Sequence, residues 1–114
     1  MRLYRFFLPL LDNKGGDYSA AIDEFRSLAL DVAGGYTDIG LARGAWRDEK
    51  TGEVYHDSLA LIDVALPNVA QFDVVKARAL EIFPDQIALF TADIGESIAT
   101  YRDALELKTS QIVA

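Results

Sequence analysis

One histidine occurs in the chain, His56, and it stands between Tyr55 and Asp57. An imidazole titrates near neutral pH, so a histidine beside a carboxylate and a phenol is a residue set suited to general acid–base chemistry. In an extended segment, however, successive side chains point to opposite faces, and Asp57 can orient His56 only where a bulge intervenes. The plainer reading is a solvated histidine near a turn. Asp63 is a second candidate, because it interrupts an apolar run over residues 59–66. An unpaired carboxylate buried there costs several kcal/mol, so it must meet a cation, a helix N-terminus, water or an interface. Catalytic work, if there is any, falls to His56, Asp63 and Tyr55. A structural ion pair of Asp63 with Arg43 or Arg5 is the competing account.

Arg43 and Trp46 are candidates for ligand binding. Arg43 precedes Gly44, and a planar guanidinium beside a glycine can take up a carboxylate or phosphate at close approach. Against this, Arg43 can pair across the strands with Asp57 or Asp63, and Trp46 can belong to the core. Metal chemistry has little to work with. There is no cysteine, and the stretch Asp48-Glu49-Lys50-Thr51-Gly52-Glu53 lacks the ligand alternation of a calcium loop. Asp12 and Asp17 flank a glycine pair, but Lys14 lies between them and a plain loop accounts for all three. Neither a metal nor a cofactor is expected.

The elements that must position these residues follow from periodicity. Residues 2–10 read as a first, central strand, with apolar residues on both faces. Residues 12–16 form a loop by composition, and Asp17 is placed to cap a helix over 17–33. Tyr18, Ile22, Phe25, Leu28, Ala29 and Val32 recur there at three- and four-residue spacing. Gly34-Gly35 stops it. Residues 41–48 and 53–66 are two strands about a polar turn at 48–52, the clearest hairpin in the chain. Pro67 ends the second strand, and Asn68 caps a second helix over 69–83, stopped by Pro84. Residues 86–94 form a last strand, which Gly95-Glu96 breaks. The order strand, helix, strand, strand, helix, strand predicts an α+β fold, a βαββαβ sandwich with a four-stranded antiparallel sheet and two helices on one face. A core over 1–94 and a C-terminal extension over 95–114 are expected, the extension holding either a helix over 96–107 or a short edge strand over 98–101.

The bulk properties narrow the function. With 51% apolar and 25% charged residues in 114, the chain is composed as one folded domain rather than a disordered one. Eighteen acidic against 11 basic residues leave a formal charge of -7, which disfavours nucleic acid and anionic membranes as partners. The first residues are basic and then apolar, but Pro9 and the polar Asp12-Asn13-Lys14 argue against a leader, so a buried strand is expected. The absence of cysteine suits a reducing cytoplasmic location. Residues 59–66 are apolar on both alternating sets, yet two helices cover one face of a sheet. Either a second subunit or a ligand covers the other, or the C-terminal segment folds back over it. A homo-oligomer, most simply a dimer, is expected on this ground.

In element order over residues 2–94 the chain resembles the small ferredoxin-like proteins, among them the dimeric α+β-barrel monooxygenases and isomerases and the trimeric signal-transduction proteins of the PII and CutA type. No phosphate-binding or nucleotide motif accompanies the resemblance, and no residue role is carried over. It implies association through the sheet and a small-molecule cleft beside it. Two functions stay open: an oligomeric small-ligand-binding or regulatory module without catalysis, and a small cofactor-free enzyme using a sheet-lined cleft. Convergence of His56, Asp63 and Arg43 on one apolar cavity would favour the second.

Overall fold

Alternation along the first strand sets the layout. The computed structural model describes residues 1–102, beginning with β1 (Arg2–Pro9), α1 (Ser19–Ala33) and β2 (Thr37–Arg47). β3 (Val54–Leu66), α2 (Val69–Ile82) and β4 (Phe90–Glu96) follow. The strands pair in the order β2-β3-β1-β4, antiparallel throughout. Tyr4, Phe6 and Leu8 of β1 lie opposite Val64, Ile62 and Ala60 of β3, and all six are buried beneath the helices. Phe6 meets Phe25 of α1 with ring centroids 4.9 Å apart, and Tyr4 stacks on Phe72 of α2 at 3.8 Å. These contacts identify the helix-covered face. Leu3, Arg5, Phe7, Leu59, Leu61, Asp63 and Ala65 leave on the other, by the period of two. This is the expected sandwich.

Local signals account for the ends of the elements. α1 buries Ile22, Phe25, Leu28 and Ala29, and closes at Gly34, whose φ of 79° lets its amide reach the carbonyl of Leu30 at 3.0 Å. It begins two residues later than expected. Tyr18 holds the cap position, and Asp17 serves the start from outside, its Oδ1 accepting the Ser19 amide at 2.7 Å. Asn68 caps α2 as expected, accepting the Gln71 amide at 2.9 Å. The hairpin turn is held by Asp48, whose Oδ1 accepts the amides of Lys50 and Thr51 at 2.7 and 3.1 Å.

Three departures from the sequence reading have physical causes. β2 begins at Thr37, because Gly40, at φ 138°, absorbs a register shift that keeps the strand paired with β3. β4 begins at Phe90, not residue 86. The segment before it is tied to the loop after β1: the Asn13 amide donates to Asp85 Oδ2 at 2.7 Å, Asn13 Nδ2 donates to the Asp85 carbonyl at 2.7 Å, and the Tyr18 hydroxyl donates to Asp85 Oδ1. Gly95 does not end that strand. It forms a bulge opposite β1 at φ 137°, and pairing continues to Glu96 opposite Arg2. Glu96 is therefore strand, and residues 98–101 form neither helix nor strand. The rest of the helix expected over 96–107 lies outside the described residues beyond 102, as does most of the segment expected to fold back over the sheet. No helix among the described residues is long and apolar enough to cross a membrane.

Candidate functional site

Asp63 and Arg5 face each other across β3 and β1, in register, on the sheet face that carries no helix. Arg5 Nε and Nη2 donate to the two carboxylate oxygens at 2.8 and 3.0 Å, a bidentate pair. Asp63 is buried at 4% exposure, while the Arg5 side chain keeps 28%. The hydrogen bond to Asp63 holds the Arg5 guanidinium above its ordinary pKa. Of the partners open to Asp63 in the sequence, it is Arg5 and not Arg43 that takes it. The pair sits among Leu3, Phe7, Leu61, Phe90 and Ala92, so one polar bond is embedded in an apolar face. Phe90 is 76% exposed there.

Beyond the reach of β1 the hairpin continues alone. β1 pairs with β3 as far as Pro9 opposite Leu59, and a last bond joins the Leu10 amide to the Ser58 carbonyl at 3.0 Å. Trp46 and Tyr55 lie opposite each other farther out, stacked with centroids 4.8 Å apart on the Asp63 side of the ribbon. They remain half-exposed, so Trp46 is no core residue. The Tyr55 hydroxyl donates to Glu53 Oε2 at 2.9 Å, which raises the Tyr55 pKa. His56 and Arg43 project from the opposite side of the ribbon, opposite Ala45 and Ser58 respectively. Both are exposed, and neither has a side-chain hydrogen bond or ion pair among the described residues. Asp57 shares the face of Trp46 and Tyr55, so it cannot orient His56. The five candidates therefore divide: Asp63, Tyr55 and Trp46 on one side, His56 and Arg43 on the other. They do not converge on one cavity, although Arg43 lines a hollow of about 280 Å³ with Leu10, Leu41, Ala42 and Ser58.

A second concavity lies elsewhere, between α2 and the segment leading into β4. It holds about 220 Å³ and is lined by Phe6, Ala79, Leu80, Ile87 and Leu89, with Lys76 and Thr91 as its polar groups. α2 places Lys76 one turn before Leu80, so the two residues border the same concavity. Lys76 pairs with Asp73 at 3.1 Å and lies 4.3 Å from the Phe72 ring centroid. Neither Lys76 nor Thr91 stands out in the sequence; the available signal is a lysine four residues after Phe72 and three before Ala79, on one face of the helix. A third polar group, Tyr18 with Asp85, closes the loop below β1. Burial, reinforced by the bond to Asp85, pushes the Tyr18 pKa up to about 12, while the Asn13 amide and Tyr18 hydroxyl draw Asp85 below its usual value. Among the described residues no group of three or more histidine, aspartate or glutamate side chains is placed to hold a metal ion.

No protein-family model matches the chain, and no curated protein does. Solved structures do match. A divalent cation tolerance protein of Thermus thermophilus is similar at 15% identity with a TM-score of 0.58, over 92% of this chain and 91% of that one. The divalent ion tolerance protein of Ehrlichia chaffeensis matches at 12% identity and 0.55, over 92% and 88%. A phage SAM lyase in complex with S-methyl-5'-thioadenosine matches at 9% identity and 0.54, over 81% and 88%. At such identities the likeness is one of fold, and the chain is a ferredoxin-like α+β sandwich laid out as in the CutA-like proteins.

Proposed function

We propose that the chain is an oligomeric small-ligand-binding or regulatory module, most simply a dimer, whose ligand enters the cleft between α2 and β4. The cleft carries this reading: about 220 Å³ lined by apolar side chains, with Lys76 and Thr91 among its lining residues. That is the makeup of a site for a small apolar molecule with an anionic or hydrogen-bond-accepting end. Lys76 and Asp73 are 41% and 61% exposed, and an exposed pair of this kind contributes little. Lys76 is thus free to turn from Asp73 to a ligand. The phage lyase, seen with S-methyl-5'-thioadenosine, is an example of the same layout holding a small organic molecule. The separation of His56 from Asp63 and Tyr55 weighs against the cofactor-free enzyme.

Ligand-observed NMR with a library of small carboxylates and their neutral isosteres tests the site. Carboxylates are expected to bind, with affinity reduced about tenfold in Lys76→Ala, a loss of ~1.4 kcal/mol. Neutral isosteres should bind both proteins alike. Binding unchanged in Lys76→Ala and in Leu80→Glu would place the site elsewhere. Sedimentation tests the assembly separately, with about twice the 12.6 kDa chain mass expected.

A further inference from the structure

The pairs from Arg43 opposite Ser58 to Arg47 opposite Val54 lie beyond the last residue of β1 and form a two-stranded arm. Its charges are sorted by side. Arg43, Arg47, His56 and Ser58 project from the side that continues the helix-covered face, and no carboxylate leaves the arm there. Asp57 leaves on the other side, where the Tyr55 hydroxyl also holds Glu53. In the loop after Leu10 the carboxylates are engaged: Asp12 accepts the amides of Lys14 and Gly16, and Asp17 accepts that of Ser19. A chain of formal charge -7 thus presents a basic strip whose Arg43 and His56 make no side-chain hydrogen bond or ion pair among the described residues.

At the root of this strip lies the hollow of about 280 Å³ lined by Leu10, Leu41, Ala42, Arg43 and Ser58. It opens where β1 ends, at the bond from the Leu10 amide to the Ser58 carbonyl. Arg43 and Ser58 are directly opposite, which sets their Cβ atoms ~5 Å apart, and His56 lies on the next diagonal, about 7–8 Å from Arg43. We propose that the hollow binds the phosphoryl group of a small phosphate monoester, Arg43 taking two oxygens through its planar fork while Ser58 and His56 donate to the third. A carboxylate has two oxygens and is satisfied by Arg43 alone. The additional donors match an anion with a third terminal oxygen. Leu10 and Leu41 give the organic group of the ester an apolar wall, and the volume suits a small one. All three donors stand on paired strands, which fixes their spacing before a ligand arrives. This site is separate from the cleft between α2 and β4 and does not rest on it.

Phenyl phosphate and inorganic phosphate are titrated into the isotope-labelled full chain at physiological ionic strength, with benzoate as the carboxylate comparison, and amide shifts are followed by NMR. Shifts are expected at residues 41–45 and 56–59, with phenyl phosphate bound more tightly than either inorganic phosphate or benzoate. Arg43→Ala should weaken phenyl phosphate binding about tenfold, and Arg43→Lys, which keeps the charge without the fork, about threefold. Ser58→Ala and His56→Ala should each cost about threefold. Arg47→Ala removes the same charge from the same side, ~14 Å farther out and beyond the ~8 Å screening length, so its effect should stay below about twofold. Equal losses in Arg43→Ala and Arg47→Ala would overturn the site, leaving only screened attraction to a basic surface. Shifts confined to α2 and residues 87–91 would overturn it in favour of the cleft described above. Benzoate bound as tightly as phenyl phosphate would overturn the phosphoryl assignment.

Discussion

Replacing Phe72 by alanine tests how the helices are held to the sheet. Were Phe72 fully buried, its truncation would cost about 3–5 kcal/mol. The structure puts it at the margin of the core. One face stacks on Tyr4 at 3.8 Å and an edge meets Phe6 at 6.0 Å, while Lys76 lies over the ring at 4.3 Å. A half-buried phenylalanine withdraws on the order of 100 Å² of apolar surface from water, about 2.5 kcal/mol at 25 cal/mol per Å². The aromatic contacts add about 1 kcal/mol. Alanine's higher helix propensity returns about 0.5 kcal/mol, and the cavity term is small because the site opens towards solvent. The expected loss is about 3 kcal/mol. It should be smaller than that of Phe25→Ala, where a ring with no exposure leaves a closed cavity. Urea unfolding followed by far-UV circular dichroism measures both, at equal protein concentration because assembly adds to stability. Tryptophan fluorescence is unsuitable, since Trp46 lies on the arm away from this core. A loss below 1 kcal/mol for Phe72→Ala, or one exceeding Phe25→Ala, would refute the packing argument.

Two further outcomes concern the loop cluster and the second helix. The folded state lowers the Asp85 pKa through the Asn13 amide and the Tyr18 hydroxyl, so its contribution is present above the unfolded value of about 3.9 and is lost as pH falls through the folded one. Acid titration of stability should accordingly be shallower in Asp85→Asn than in the parent below about pH 4, and equal slopes would show the cluster to be idle. Asn68→Ala, removing the side chain that accepts the Gln71 amide, should cost about 1 kcal/mol in chemical denaturation, with Asn68→Asp close to neutral; equal losses in both would point to a cause other than the cap.

Much of the architecture lies in local chemistry. Glycine at Gly34, asparagine at Asn68 and the turn at Asp48 end or begin elements through interactions a few residues long, and alternation over β1 and β3 assigns each side chain to a face of the sheet. The element order follows, as does the apolar character of both faces. What the linear pattern could not supply were contacts between residues distant along the chain. Asp63 needed a partner, but only the register of β1 against β3 selected Arg5, because pairing distance and not sequence distance decides which cation a buried carboxylate meets. β4 starts late because Asn13 and Tyr18 capture Asp85, a tie across the whole fold. The cleft around Lys76 and Thr91 exists only where α2 passes over the start of β4, so no single element announces it. His56 looked eligible by chemistry alone; its neighbours in space are set by the projecting hairpin, which carries it away from Asp63 and onto the opposite side of the ribbon.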